Sequence, residues 1–457
     1  MTKQEAAIKY ITENYLNFNR LRHDVIADKL QVRMNLDQIK DETVELNSRE
    51  YWRDMTKSDI NSIVCHCAQE YDANITSREV ITALQSDLIP DVHPLREYIL
   101  SLRPWTRKVD WIDFVARQVH VKESNPKNML IQQPEQLDST TIPLANTASS
   151  MENDSTPSCT TLDNTTQSTS ALWRICFKKW FVAMVASWMN DDVVNQQVLV
   201  LIGKQGIYKT TWLERLIPPH LRSYACKLAN SAELNKDERL RIAEFGLIAL
   251  DEIDSMNNRE LNQLKSVITA TDVNERAAYA YSKERRVRLA SFCASGNRRE
   301  FLTDMTGNRR WLPFEVESIQ NPFFTTLPYE LLYAQAWALA QDPTFCYWFE
   351  LDEIKVMEKH NQEFRDECME EQWIPILFDV PAEGKGIFLT TAQISERLVS
   401  YGNIKRPLPL NQLGRALGDA GFKDVRRKIG NKQRRGWLVY QRDSNEIESI
   451  KRLLIHE

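Results

Sequence analysis

The pattern of apolar and polar positions changes character several times along the chain. Residues 22–34, RHDVIADKLQVRM, alternate as a strand pair would. Residues 56–72 and 76–88 carry apolar side chains at helical spacing, and each run opens on Thr or Ser, which suits a helix cap. Residues 93–121 add helical segments rich in aromatics. From 132 to 170 Ser, Thr, Asn and Asp dominate and large apolar residues are few. Such a stretch cannot bury enough surface to offset its ordering entropy and reads as a disordered linker. Order returns at 171–191, ALWRICFKKWFVAMVASWMND, expected as an amphipathic helix. Solid apolar runs then alternate with helical patterns: VLVLI at 198–202, FGLIALDEID at 245–254 and VRLASFCASGN at 287–297. Runs of this kind fit strands buried on both faces, as in a parallel sheet. A charged helical stretch at 351–373 follows. Near Gly386 a small unit begins, with a Thr-capped helix at 388–402, a second helix at 408–422 closed by Gly421, and a strand pair at 423–442 turning at Gly430–Asn431. Helix, helix, hairpin is the plan of a winged helix.

This reading divides the chain into an α+β N-terminal region at 1–131, the linker at 132–170, an α/β core of parallel sheet and flanking helices at 171–349, a helical connector at 350–385 and the winged-helix-like unit at 386–457. A length of 457 residues accommodates that many parts. No apolar run approaches the roughly 20 residues of a membrane span, and the N-terminus, MTKQEAAIKYITENY, has no apolar signal core, so the expected address is the cytoplasm, without a membrane partner. None of the eight cysteines forms a C-x-x-C pair, which fits a reducing compartment. Cys65 and Cys67 flank His66 on a helical pattern; residues two apart point to different sides, so the pair reads as buried thiols rather than metal ligands.

Candidate chemistry centres on LVLIGKQGIYKTTWLERL, residues 199–216. Gly203, Gly206, Lys209 and Thr210 nearly spell the phosphate-binding loop G-x-x-x-x-G-K-[ST], with Tyr208 where the last glycine belongs. Such a loop turns backbone N–H groups onto phosphates, with Tyr208, Lys209, Thr210 and Thr211 lining it. Lys209 would neutralise the outer phosphates of ATP and Thr210 would hold Mg²⁺. If position 208 needs φ above zero, a bulky residue costs about 1–2 kcal/mol there; an ordinary backbone angle in an altered loop is the alternative. Asp251 and Glu252 end the next apolar run, where Asp251 can orient a metal's water shell and Glu252 can polarise an attacking water. Asn297 ends the third run and can sense a terminal phosphate or simply close the strand. Arg309 and Arg310, in TGNRRWLPFEV, can act as an arginine finger on a neighbouring subunit or form surface ion pairs.

These stretches, with LNQLKSVIT and SKERRVRLASFCASGN, resemble the virulence-associated E family, helicase-like ATPases of phages, satellites and other mobile elements related to superfamily 3 helicases. The resemblance covers about 173–320 and extends weakly to HPLREYILSLRPW; Tyr208 departs from the family's loop. It implies an α/β P-loop NTPase core, an ATP- and Mg²⁺-dependent DNA helicase or translocase acting in DNA replication as a ring, by resemblance a homo-hexamer. It further implies a basic hairpin in the ring channel, placing Lys283, Arg285, Arg286 and Arg288 against one DNA strand; a solvated basic loop is the alternative. No spaced acidic pair in 1–130 suggests primase chemistry, so a separate primase would be required. The C-terminal unit also resembles the small domain that follows such ATPases in Bacteroidetes-type elements.

Net charge sharpens one part of this picture. The chain carries −5 overall, yet basic residues crowd the last unit, among them Arg415, Lys432, Arg434 and Arg435, the footprint of a DNA binder. A winged unit used for protein contacts is the other possibility. Two alternatives to a motor stay open: a DNA-sensing regulatory or defence NTPase that does not unwind, and a DNA-binding regulator with a degenerate loop.

Overall fold

The computed structural model describes residues 2–33, 52–71, 74–123, 168–228, 241–275, 284–302, 308–365, 369–381, 386–404, 407–430 and 432–455. The expected linker at 132–170 lies, up to residue 167, outside the described residues. Two compact units emerge, Met1–Phe301 with Gly307–Phe364, and Leu302–Thr306 with Arg365–Glu457.

The first unit begins with helices α1 (Lys3–Asn14), α2 (Lys57–Tyr71) and α3 (Ser77–Leu84) beside strands β1 (Leu21–Asp24), β2 (Lys29–Arg33), β3 (Trp52–Asp54) and β4 (Asp91–Val92), ordered β3-β2-β1-β4. Thr76 closes a capping box with Glu79, in keeping with the Thr that opens its run, and Thr2 closes another with Glu5. Cys67 is buried and donates to the Ala6 carbonyl at 3.5 Å, whereas Cys65 is exposed, so only one of the two thiols is a core residue. Helices α4 (Pro94–Ser101) and α5 (Trp111–Ala116) lead to β5 (Val119–Val121).

The central sheet then assembles from β6 (Val198–Ile202), β7 (Ala225–Leu228), β8 (Leu247–Leu250), β11 (Ser291–Gly296) and β12 (Trp311–Ile319), in the order β5-β12-β6-β11-β8-β7. All neighbours pair in parallel except β5, which runs antiparallel on the edge. Between β8 and β11 lie helix α8 (Asn258–Thr269) and the hairpin β9 (Asp272–Glu275)–β10 (Glu284–Val287). Strands β6, β8 and β11 are buried at every residue, as their solid apolar runs require.

Helix α6 (Thr169–Met189) differs from its expected amphipathic character. It is buried on nearly every side, because α5 and the later helices α9 (Tyr329–Ala340) and α10 (Leu351–Asn361) cover the face turned away from the sheet. A helix closed in this way needs apolar residues all round, with the tryptophan N–H groups satisfied. Trp173, Trp180 and Trp188 donate to the carbonyls of Ala116, Phe292 and Gly246 at 2.9, 3.1 and 3.1 Å. Lys179 is the exception in charge. Its side chain is 1% exposed and its ammonium lies 2.7 Å from Glu353 of α10, itself 5% exposed; it also donates to the Trp348 carbonyl at 3.1 Å. Asp24 similarly fastens the N-terminal sheet, accepting from the Ile26 N–H at 2.9 Å and from Tyr224, just before β7, at 2.6 Å.

The second unit runs α11 (Met369–Leu377), β13 (Phe378–Asp379), β14 (Ile387–Leu389), α12 (Thr391–Gly402), α13 (Leu410–Asp419), β15 (Asp424–Ile429), β16 (Lys432–Gln441) and α14 (Ser444–Ile455). Strand β16 pairs antiparallel with β15 and with both β14 and β13. Ile394, Leu398, Leu413, Leu417, Trp437 and Val439 form its core. The stretch 350–385, expected as one connector, therefore contains α10 in the first unit and α11 in the second.

Lys179→Met leaves Glu353 buried without its cation and should destabilise the first unit by about 3–5 kcal/mol. Lys179→Met with Glu353→Leu should recover most of that loss. Thermal denaturation of the three proteins measures both; a single variant as stable as the parent would show that the pair contributes nothing.

Candidate functional site

Because β6, β11 and β8 are parallel neighbours, their C-terminal ends emerge along one edge of the sheet. Ligands collect at this edge in open α/β sheets. The segment after β6 starts with Gly203, whose N–H donates to the Gly296 carbonyl at 3.1 Å. A side chain at 203 would come within 2.6 Å of the Val316 carbonyl, so only glycine fits between β6 and β12. Gly206 has φ +86, open to glycine. Tyr208 takes φ 67 and ψ 18, the left-handed conformation. The loop thus keeps the backbone path that a glycine would follow, and the tyrosine bears the strain. Thr211, half-buried on helix α7 (Lys209–Glu214), has its carbonyl bonded to the Arg215 N–H at 3.1 Å.

The Lys209 ammonium donates to the carbonyls of Gly203 and Lys204, both at 2.7 Å, and to Asn297 Oδ1 at 3.3 Å. Burial lowers its pKa against the opposing pull of Asp254 and Asp251. One residue on, Thr210 Oγ1 lies 3.2 Å from Asp251 Oδ1 and 2.9 Å from Ser295 Oγ, and Ser295 donates to the same Asp251 oxygen at 2.8 Å. Lys227, at the end of β7, reaches the other Asp251 oxygen at 2.5 Å. Burial pushes the Asp251 carboxyl up, but the hydrogen bonds from Lys227, Ser295 and Thr210 outweigh it and hold the group below its ordinary pKa. It is therefore an anion at neutral pH, with two hydroxyls beside it. That oxygen cluster is a hard donor set of the kind Mg²⁺ takes.

Glu252 is exposed and sits at φ 52, which swings the chain out of β8 into a one-turn helix. Within that turn Asp254 accepts from the N–H groups of Asn297 and Arg298, both at 3.1 Å, and so fixes where Asn297 stands. Four of the expected residues, Lys209, Thr210, Asp251 and Asn297, are brought together. Ser295, Asp254 and Lys227 join them and were not anticipated. Ser295 was detectable, since it precedes Asn297 by two positions and so shares a strand face with it.

The two arginines at 309 and 310 lie elsewhere. They form a single 3-10 turn ahead of β12, held by Asn361, which donates to the carbonyls of Asn308 and Trp311 at 2.9 and 3.0 Å. Trp311 pairs with Val198 at the start of β6, so Arg309 and Arg310 flank the opposite edge of the sheet from Gly203, about 16 Å away along the strand. Arg309 is exposed; Arg310 is half-buried, and burial together with Arg309 lowers its pKa.

Of the expected basic hairpin, Lys283 and the side chain of Arg285 lie outside the described residues. Arg286 is engaged with Asp28 at 3.2 Å and Glu244 at 3.6 Å. Arg288 corrects the expectation outright: it is 2% exposed, and burial lowers its pKa to about 9. Its guanidinium donates to the carbonyls of Ala290 at 3.1 Å, Asn195 at 2.9 Å and Ile268. It clasps the end of α8 to the start of β11 and is unavailable to a nucleic acid.

In the second unit, Arg415 is exposed on α13. Arg434 and Arg435 are exposed on β16, Arg435 bonded to Asp424 at 2.8 Å; the side chain of Lys432 lies outside the described residues. Arg426 stands directly opposite Arg435, and Arg427 opposite Arg434.

Residues 149–366 match the virulence-associated protein E-like domain, so the chain carries a domain of that family, as its motifs suggested. No curated protein matches the chain. Among solved structures it is similar to the apo structure of the NrS-1 C-terminal region (305–718), with a TM-score of 0.44 at 10% identity over 95% of this chain and 100% of that one. It is similar also to the A form of that region, with a TM-score of 0.42 at 9% identity over 96% and 99%. Among the described residues, no helix is long and apolar enough to cross a membrane.

Arg288→Lys cannot reproduce three divergent carbonyl contacts. It should cost about 2–4 kcal/mol in urea denaturation, through carbonyls left unpaired. An unchanged stability would mean that the clasp is dispensable.

Proposed function

From the virulence-associated protein E-like domain as premise, we propose that this chain is an ATP-hydrolysing motor on DNA, serving replication of a phage, satellite or other mobile element. The observation that carries this reading is the convergence of Thr210, Ser295 and Asp251 beside Lys209 at the end of a parallel sheet. On this reading the first unit is a P-loop NTPase core, and the amide groups from Gly203 to Thr211 receive the phosphates. Lys209, already aimed across the loop, meets the charge of the outer phosphates. Thr210 and Asp251 would hold Mg²⁺, with Ser295 hydrogen-bonded to both. When bound, the metal would supply charge neutralisation to the triphosphate. Lys227 must then give up the Asp251 oxygen that it occupies. Glu252 polarises the attacking water, and Asn297, fixed by Asp254, registers the terminal phosphate.

Arg309 and Arg310, on the far edge of the sheet, suit a neighbouring subunit's site better than their own, which supports a ring homo-oligomer, a hexamer by family resemblance. A separate primase would complete initiation. In the second unit the run from β14 through α12 and α13 to the β15–β16 hairpin, strand, helix, helix, strand, strand, supports a winged helix, and its hairpin sets arginine against arginine across two strands. Like charges directly opposed destabilise a ladder unless an anion lies over them, and a DNA backbone is such an anion. The ion pairs of Arg286 favour a second reading, a DNA-sensing NTPase that hydrolyses ATP without unwinding.

DNA-stimulated ATP hydrolysis, measured alongside strand displacement, tests the proposal. Lys209→Ala should lower turnover about a hundredfold or more, and Glu252→Gln should bind ATP and fail to release it as products. Mixing Lys209→Ala subunits with Arg309→Ala, Arg310→Ala subunits should restore part of the activity. Parent turnover no better than that of Lys209→Ala would make this a DNA-binding regulator with a degenerate loop. Turnover without displacement would favour the sensor.

For the winged unit, Arg426→Ala, Arg427→Ala and Arg434→Ala together should flatten the slope of log K against log salt for duplex DNA by about 2–3 units, since each lost phosphate contact removes about 0.9. Titration of the full chain reads the slope directly. An unchanged slope would assign the basic hairpin to another partner.

A further inference from the structure

Tyr208 is held in a conformation that costs a bulky residue, and yet its ring is not hidden. It is 37% exposed and makes an edge contact with Phe323, ring centroids 6.2 Å apart. Phe323 is 72% exposed and the adjacent Phe324 90%. Apolar rings left in water beside a polar site mark a place where something else covers them. The segment that carries them is well fastened. Asn321 accepts from the Phe323 N–H at 3.0 Å through its side chain, and through its carbonyl from the Phe324 N–H at 3.1 Å and the Thr325 hydroxyl at 3.0 Å. Arg215, just past α7, donates to the Thr325 carbonyl at 3.2 Å, and Tyr329 donates back to the Arg215 carbonyl at 2.7 Å. The phenyl ring of Phe323 is thus placed next to the loop by a turn that is itself docked on the helix following the loop.

We propose that Tyr208 and Phe323 form the aromatic side of a nucleobase site, on which the base of a nucleoside triphosphate stacks while its phosphates lie along Gly203–Thr211. This rests on the reading of the loop as a nucleotide site and adds recognition to it. The residue that breaks the glycine pattern then contributes binding instead of merely being tolerated. Its left-handed backbone preserves the phosphate path, and its ring, which glycine lacks, is directed out of the loop toward Phe323. Stacking needs only a π-face, so this contact is tolerant of base identity.

Mg-ATP and Mg-tripolyphosphate, the latter without ribose or base, separate the two contributions. Binding of each is measured by calorimetry to the full-length chain and to Tyr208→Gly, Tyr208→Phe and Phe323→Ala variants. The parent should prefer ATP to tripolyphosphate. Phe323→Ala and Tyr208→Gly should each reduce that preference by roughly fivefold or more, the low end of what a stacked base is worth, while Tyr208→Phe retains it. Phe323 is exposed, so its removal does not threaten folding. If Tyr208→Gly instead tightens both ligands equally, and Phe323→Ala leaves the ratio unchanged, the rings take no part in recognition and the proposal fails while the nucleotide site stands. If the parent binds neither ligand, the nucleotide reading fails and the stacking proposal falls with it.

Discussion

A parallel sheet has no face to give to water. Once β6, β11 and β8 pair in parallel, helices must cover both sides, and the chain can place polar chemistry only where the strands stop. That constraint organises the first unit. It demands the buried α6 with its three satisfied indoles on one side of the ladder. It also sends Gly203, Asp251 and Asn297 out at a common edge, where side chains from three different strands share hydrogen bonds. The register between β6 and β12 does the converse for Arg309 and Arg310, which the same parallel pairing assigns to the other edge.

The central strands and the loop were legible in the sequence for one reason: a strand buried on both faces must be apolar without interruption, and the residue that ends it must not be. VLVLI before Gly203 and LIAL before Asp251 declare themselves in this way. Helix α6 was legible as a helix but not as a buried one, because its lysines and arginine suggested a wet face; only the fold shows that Lys179 meets Glu353, 174 residues later. Lys227 and Asp254 carried no signal at all. Their roles depend on where β7 and the turn after β8 lie in space, and single charged residues at the end of a strand are ordinary. In the second unit the two central helices and the hairpin followed from capping and alternation. The charged helical stretch at 351–373 divided into separate helices, the later one running past Pro375 to Leu377, and the three-residue β14 fell below what periodicity can detect.

Electrostatics divides the molecule between two kinds of economy. In the first unit charges are consumed internally: Arg286 by Asp28 and Glu244, Arg288 by carbonyls, Lys227 by Asp251. In the second, the hairpin leaves Arg426, Arg427 and Arg434 exposed, with Asp424 answering only Arg435. The net charge of the chain hides this contrast, because a sum does not distinguish a cation committed to the fold from one facing solvent.

The buried pair of Lys179 and Glu353 also bears on descent. Either charge alone inside the first unit is a liability, whereas the two together, or two apolar residues of similar size, are tolerable. A lineage that exchanges one arrangement for the other must pass through an intermediate that selection disfavours. Positions 179 and 353 are therefore bound to a shared history: related chains should hold both charges or neither, and this coupling can persist long after the surface between the two helices has drifted.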